Sequence, residues 1–349
     1  MLAPPITVAD QTTLVIGTWG GAYEKAQHNV WFQPFTAKTN IPIKTLTHKG
    51  GLEILLQNKL PDVLDMGEAD ARRACDKGLL EPLNLTELLP EAASNEKIEE
   101  DFMHDAFSKC AIAHSTASTL IAYNPKAFLG KKPQTIADFF DIESYPGKRG
   151  LRKEPHDFLE WALMAEGIPA SQIYDMLSTP RGMKLAFKQM DKIRDHIVWW
   201  DWPHEPAELL KAGKVTMTSG FNGRFFAEQS TSNPIILIWD GQLIDKDAWA
   251  IPVKENVHPA AREFIRFAME SRQLARLAEQ IPYAPVRHSA MWQIGNHPES
   301  GIPMLDHLPT APHHLKNALF RDNQWYANTE KFRTRAFYQW LNEGQKLPE

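Results

Sequence analysis

Much that would point straight to an activity is missing from this chain. It has only two cysteines in 349 residues, Cys75 and Cys110. No apolar run approaches the roughly 20 residues needed to span a bilayer, and the longest candidates, such as residues 234–239, are strand-sized. There is no basic excess: 38 Lys and Arg stand against 43 Asp and Glu, a formal net charge of −5. That balance argues against a dedicated nucleic-acid binder. None of the 13 histidines falls in a His-Glu-x-x-His or Cys/His zinc spacing, and His313-His314 are adjacent rather than four apart. No metal site and no cofactor are therefore expected. A Gly-x-Ser-x-Gly elbow is also absent; Ser219-Gly220 leads instead into Phe221-Asn222-Gly223-Arg224. With no constellation for chemistry, binding is favoured over catalysis. The first ten residues, Met1 to Asp10, carry neither a basic n-region nor an apolar h-region, so that stretch is not itself a signal peptide. Either the chain is cytoplasmic, or a signal peptide has been removed.

What is present is size, alternation and tryptophan. A chain of 349 residues suggests two domains of on the order of 100–200 residues each. Strands are predicted at 13–17, 41–47 and 61–66, with helices over 22–39, from Gly50-Gly51 to about 59, and over 68–77. Short loops between alternating strands and helices indicate a mainly parallel α/β sheet. A long extended segment at 110–123 leads into a second stretch of the same grammar. That stretch has a strand after Gly147, helices at 135–140, 157–167, 180–193, 206–212 and 221–229, and strands at 197–200, 215–219 and 235–239. A second extended crossing covers 240–252. Amphipathic helices are predicted at 259–279 and, with a break near Asp322, over 315–344. Two α/β lobes joined by two crossings describe a hinged protein whose ligand sits at loop ends between the lobes.

The 11 tryptophans read either as core or as aromatic walls for a ligand. Gly17-Thr18-Trp19-Gly20-Gly21-Ala22-Tyr23 lies between a strand and a helix. Its glycine spacing is not that of a dinucleotide fingerprint, and it lacks the Gly-Lys-Ser/Thr of a P-loop. Trp19 and Tyr23 offer ring faces to a cation, and the helix N-terminus opened by Gly20-Gly21 offers N–H donors to an anionic or carbonyl group; the alternative is a tight turn with a core Trp. In Trp199-Trp200-Asp201-Trp202 the first two rings face opposite sides of a strand, so one is core and the other is available. Asp247 and Trp249 share a face of the second crossing, and a carboxylate beside an aromatic suits an ammonium group. Turn-capping and hinge packing are the alternatives. Glu154 and Asp157 start a helix, where N-capping is the ordinary role of a carboxylate.

Five segments, in order, resemble the extracellular solute-binding proteins of ABC importers, in the spermidine/putrescine-binding branch. They are Leu14 to Tyr23, Pro34-Phe35-Thr36-Ala37-Lys38-Thr39-Asn40-Ile41, Thr218 to Arg224, Asp247-Ala248-Trp249-Ala250-Ile251-Pro252 and Ile281-Pro282-Tyr283-Ala284-Pro285. The resemblance spans about residues 12–341. It implies a two-lobe type II periplasmic-binding-protein fold of the α/β class with the ligand cleft between lobes. The first lobe would be 11–122 plus 247–305, the second 123–246 plus 306–349. It implies a periplasmic receptor, working as a monomer, that hands a small amine-containing ligand to a membrane permease. Trp19 and Tyr283 would be wall aromatics; Tyr23, Trp200 and Trp249 are candidates for the same role from their own positions in the sequence. Phe221 would stand where polyamine binders have Trp, and Glu154, Asp157 and Asp247 would hold amines. Glu68 would add a carboxylate. Departures are also visible: Asp245 stands at a wall Trp position, and Arg224 would repel a dication. A related branch binds opines and other amine-bearing zwitterions, for which Arg224 could pair a carboxylate. Cys75 and Cys110 occupy positions of a Cys pair in that branch; a disulfide is expected, which would imply an oxidising compartment, and two buried free thiols are the alternative. A cytoplasmic enzyme on the same fold is the alternative of another class.

Overall fold

The computed structural model describes residues 13–89, 98–230 and 232–343. The N-terminal stretch Met1 to Asp10 and the helix end expected at Gly344 lie outside the described residues. The strands, in chain order, are β1 (Leu14–Thr18), β2 (Ile43–Thr47), β3 (Val63–Gly67), β4 (Ala111–Tyr123), β5 (Arg149–Arg152), β6 (Ile197–Trp200), β7 (Met217–Phe221), β8 (Ile236–Ala250), β9 (Ala284–Pro285) and β10 (Leu319–Phe320). Strands and helices alternate as in an α/β protein.

The chain divides into two compact units. The first is Met1–His114, Ala248–Leu277 and Val286–Gln293; the second is Ser115–Asp247, Ala278–Pro285 and Ile294–Glu349. Both β4 and β8 begin in one unit and end in the other, so the chain passes between the units on extended segments, as the sequence suggests for 110–123 and 240–252.

In the first unit, β1 lies between β2 and β3, parallel to both, in register Leu14↔Ile43 and Ile16↔Val63. The branched and apolar residues of these strands supply the core: Leu14, Ile16, Val63 and Leu64 are fully buried. The expected helix over 22–39 is present but not uniform. Its turns run Gly21–Gln27, a wider π-helical stretch His28–Phe32, then Gln33–Thr39. Pro34 has no backbone N–H to donate to the preceding turn, which fits the widening just before it. After Gly50-Gly51 the expected helix shrinks to a single 3₁₀ turn, Glu53–Leu56. Both glycines have positive φ, so the segment enters as a turn. The expected helix over 259–279 is two, Ala261–Ala268 and Ser271–Gln280. The Cys75–Cys110 disulfide closes on the helix Glu68–Asp76 and the start of β4.

In the second unit, β5 is flanked by parallel neighbours, pairing Arg152 with Trp200 of β6 and Gly150 with Thr218 of β7. β7 in turn pairs antiparallel with β4, Leu120 opposite Gly220. β10 adds in parallel to β8, Leu319 to Leu243 and Phe320 to Ile244. The strand expected at 235–239 is only the first third of β8. Residues 315–322 are not helical, and the last helix starts at Asn323. The cap expected at Thr135 forms as a capping box with Asp138.

Candidate functional site

In the first unit, β1 ends in Trp19-Gly20-Gly21. Gly20 has φ 70°, and a Cβ there would meet Thr47 Cγ2 at 2.5 Å, so only glycine fits this turn. Trp19 is half-buried, its ring centroid 4.8 Å from that of His48. Its Nε1 donates to Asp65 Oδ1 at 3.3 Å. Asp65 is wholly buried and also accepts from the Tyr23 hydroxyl at 2.8 Å and Gln27 Nε2 at 2.6 Å. His114 Nε2 lies 3.1 Å from its Oδ1. Tyr23 is therefore a buried member of this network, with its hydroxyl turned to Asp65. Burial holds the His48 imidazole below its ordinary pKa, against the opposing pull of Asp65.

Glu68 is buried at the start of its helix and pairs with Arg72, whose Nε is 3.0 Å away. Trp249 is fully buried, its ring 5.3 Å from Trp31, 4.7 Å from His114 and 5.4 Å from Phe264. Of the two readings given to Trp249 by the sequence, packing is the one its surroundings describe.

In the second unit, Arg152, Trp200 and Phe221 end β5, β6 and β7 at the same, C-terminal edge of the parallel strands. Arg152 lies over the Trp200 ring, 5.8 Å from its centroid, and Trp200 meets Phe221 edge-on at 6.5 Å. Trp200 is buried and donates from Nε1 to Ser219 Oγ at 3.2 Å. Trp199, on the other side of β6, packs on Phe337 and Trp340. Phe221 remains half-buried.

Arg224 is buried in the first turn of the helix Asn222–Glu228. Asn222 anchors that turn: its Nδ2 donates to the Pro282 carbonyl at 2.7 Å and its Oδ1 accepts from Ser118 N at 3.0 Å. Gly223 lets the Ile281-Pro282-Tyr283 segment approach, since a Cβ there would meet Tyr283 Cε1 at 2.5 Å. Three of the segments that carry the resemblance thus supply Arg224, Tyr283 and, on β8, the half-buried Asp247.

Glu154 is half-buried beside Arg152 Nε, 3.2 Å, and His156. Asp157 is buried at the N-terminus of Phe158–Ala165 and is ion-paired to Arg321. Arg321 also donates to Asp245 Oδ2 at 2.7 Å and covers the Tyr326 ring at 4.7 Å. Burial works against the Arg321 charge, but Asp157 and Asp245 outweigh it and hold the guanidinium well above its ordinary pKa.

Several residues with roles here escape the sequence reading. Asp65 had a signal, a carboxylate inside the apolar run Val63-Leu64-Asp65-Met66, where a buried charge needs partners. Arg152, closing a short strand whose four residues are all buried, had a weaker one. Arg321 had none, because its partner Asp157 lies 164 positions away. Among the described residues, no group of three or more His, Cys, Asp or Glu is placed to hold a metal ion, and no helix is long and apolar enough to cross a membrane.

Residues 31–294 match the family model of the bacterial extracellular solute-binding proteins. A gamma-aminobutyric acid-binding protein of Pseudomonas aeruginosa is 31% identical over 338 residues, 95% of this chain and 92% of its own. Among solved structures, the periplasmic binding protein MotA of Agrobacterium tumefaciens B6 in complex with glucopine superposes with a TM-score of 0.84 at 25% identity, covering 95% of this chain and all of that one. An ABC transporter substrate-binding protein of Bradyrhizobium japonicum gives a TM-score of 0.79 at 25% identity, over 95% and 99% of the two chains. These relatives are binding proteins rather than enzymes, and the ligands named for the first two are not polyamines. The chain belongs to the bacterial extracellular solute-binding protein family.

Proposed function

We propose that this chain is the periplasmic solute receptor of an ABC importer, and that its ligand is a small zwitterion carrying an amine and a carboxylate. The two compact units are, on this reading, its two lobes. The single observation that carries the ligand class is Arg224, a guanidinium held buried at the C-terminal edge of β7, β5 and β6, where open α/β sheets bind ligands. A guanidinium in that position suits a carboxylate and repels a dication. In the same unit the half-buried Asp247 is the partner for the amine. Phe221 and Tyr283 lie next to the Arg224 turn and supply apolar and aromatic surface. The gamma-aminobutyric acid receptor relative supports the reading, since that ligand carries both charges; the glucopine-bound relative supports it in the same direction.

Calorimetric titration of the whole protein with gamma-aminobutyric acid, amino acids, an opine, putrescine and spermidine tests it. A zwitterion is expected to bind, and Arg224→Met to weaken it by about 100-fold, the scale of a desolvated charge pair. Asp247→Asn is expected to weaken the same ligand comparably. Binding of a polyamine in preference to every zwitterion, unchanged in Arg224→Met, would overturn the proposal and favour the polyamine reading.

A further inference from the structure

We propose that Arg321 is a specificity determinant: its guanidinium fills, from within the chain, the position beside Asp245 that the second ammonium of a diamine would take. The ligand is thereby limited to one amine, the one at Asp247. The proposal rests on the reading of Asp247 as the amine partner.

Two carboxylates and a ring face make a complete recognition set for an organic cation. Asp157, Asp245 and Tyr326 form such a set, and Arg321 occupies it. One guanidinium nitrogen donates to Asp245 Oδ2 at 2.7 Å, the other to Asp157, and the planar group lies 4.7 Å from the Tyr326 ring centroid. The backbone fixes this arrangement. β10 pairs Phe320 with Ile244, and Arg321 N donates to the Ile244 carbonyl at 2.8 Å, so the side chain emerges alongside Asp245.

The link to the ligand is the strand itself. Asp245 and Asp247 are two residues apart on β8, so their side chains leave the same face about 7 Å apart. That spacing is close to the length of an extended four-carbon diamine. An amine at Asp247 with a second amine toward Asp245 would meet the Arg321 cation instead of a carboxylate. The Asp245 side chain is 20% exposed and that of Arg321 10%, so Asp245 is the member of the pair that solvent reaches more.

The test titrates the full chain with butane-1,4-diamine and with gamma-aminobutyric acid. The wild type is expected to bind the diamine more weakly than the zwitterion. Arg321→Ala is expected to bind the diamine at least ten-fold more tightly than the wild type, and adding Asp245→Asn should abolish that gain. Arg321→Gln, which keeps hydrogen-bond donors for Asp157 while removing the charge, carries the same expectation if Arg321→Ala does not fold. A folded Arg321 variant with unchanged diamine affinity overturns the proposal, and so does a wild type that prefers the diamine to the zwitterion. Failure of the Asp247 reading shows separately, as zwitterion binding that Asp247→Asn leaves intact.

Discussion

Asp65 accepts the Tyr23 hydroxyl at 2.8 Å inside the first unit, and the same carboxylate takes Gln27 Nε2 at 2.6 Å and Trp19 Nε1 at 3.3 Å. One buried carboxylate therefore ties the end of β1, the helix after it and β3 together. Asp65→Ala would leave several buried donors without an acceptor, each worth roughly 1–3 kcal/mol. A loss of about 4 kcal/mol is expected in urea unfolding, because a buried network is broken. Asp65→Asn keeps one acceptor oxygen and should lose less. A loss under about 1 kcal/mol in Asp65→Ala would show that these hydrogen bonds are not coupled to the fold.

The disulfide joins Cys75 to Cys110 across 35 positions. Closing a loop of that length in the unfolded chain corresponds to roughly 4 kcal/mol in the chain-entropy account. The double variant Cys75→Ser/Cys110→Ser is expected to unfold at lower denaturant than the oxidised protein, by 2–4 kcal/mol in round terms, about what such bridges give. Reduction of the wild type should give the same shift. Equal stability of oxidised and reduced protein would show that the bond adds nothing.

The parts of the fold that could be read from sequence are those set by local pattern. β1 and β3 announce themselves through β-branched and apolar runs that end at glycines. The helix starting at Ile136 has its cap written beside it in Thr135 and Asp138. Errors fall where a local pattern has two outcomes. Glu53 to Leu56 is apolar enough for a helix, yet it follows two positive-φ glycines and closes after one turn. The run from Ala261 continues its apolar period past Met269, and the backbone stops there anyway. The site is legible unevenly. Arg224 and Asp247 sit in short segments whose order carries family likeness. The partner of Asp157 is invisible, because Arg321 reaches it only when β10 lies on β8. Tyr23 and Trp249 illustrate the limit of residue type: a ring beside a glycine turn, or beside a carboxylate on a strand, suits a ligand wall and a core equally well. Only the position of Asp65 and of Trp31 shows that both rings are packed inward.

Gly223 offers a prediction on the support of Arg224. A Cβ at this position would come within 2.5 Å of Tyr283 Cε1 and 2.6 Å of Ile281 Cγ1. Those atoms belong to a segment held by the Asn222 side chain, so they cannot simply swing away. Gly223→Ala should cost about 1–3 kcal/mol through overpacking. Because the next residue is Arg224, zwitterion affinity should also fall, by roughly ten-fold, in protein that remains folded. Affinity that survives intact would mean that the guanidinium is not positioned by this turn.

Glu160 carries a pH dependence of stability in the second unit. It is fully buried, accepts the Tyr326 hydroxyl, and has its other oxygen, Oε2, without a hydrogen-bond partner among the described residues. Burial raises its pKa from the ordinary 4.5 to about 7, against the pull of Arg321 and of the Tyr326 hydrogen bond. A carboxyl whose folded-state pKa is raised favours the folded state while it is protonated. Its contribution is complete below about pH 4.5 and is lost as pH rises through 7. Glu160→Gln stays neutral at every pH and removes that slope. Urea unfolding at pH 5 and pH 8 checks it. The wild type should lose up to about 3 kcal/mol relative to the variant between the two conditions, the scale of the shift. A wild-type-to-variant difference that is flat with pH would show that Glu160 ionises as readily in the folded chain as in the unfolded one.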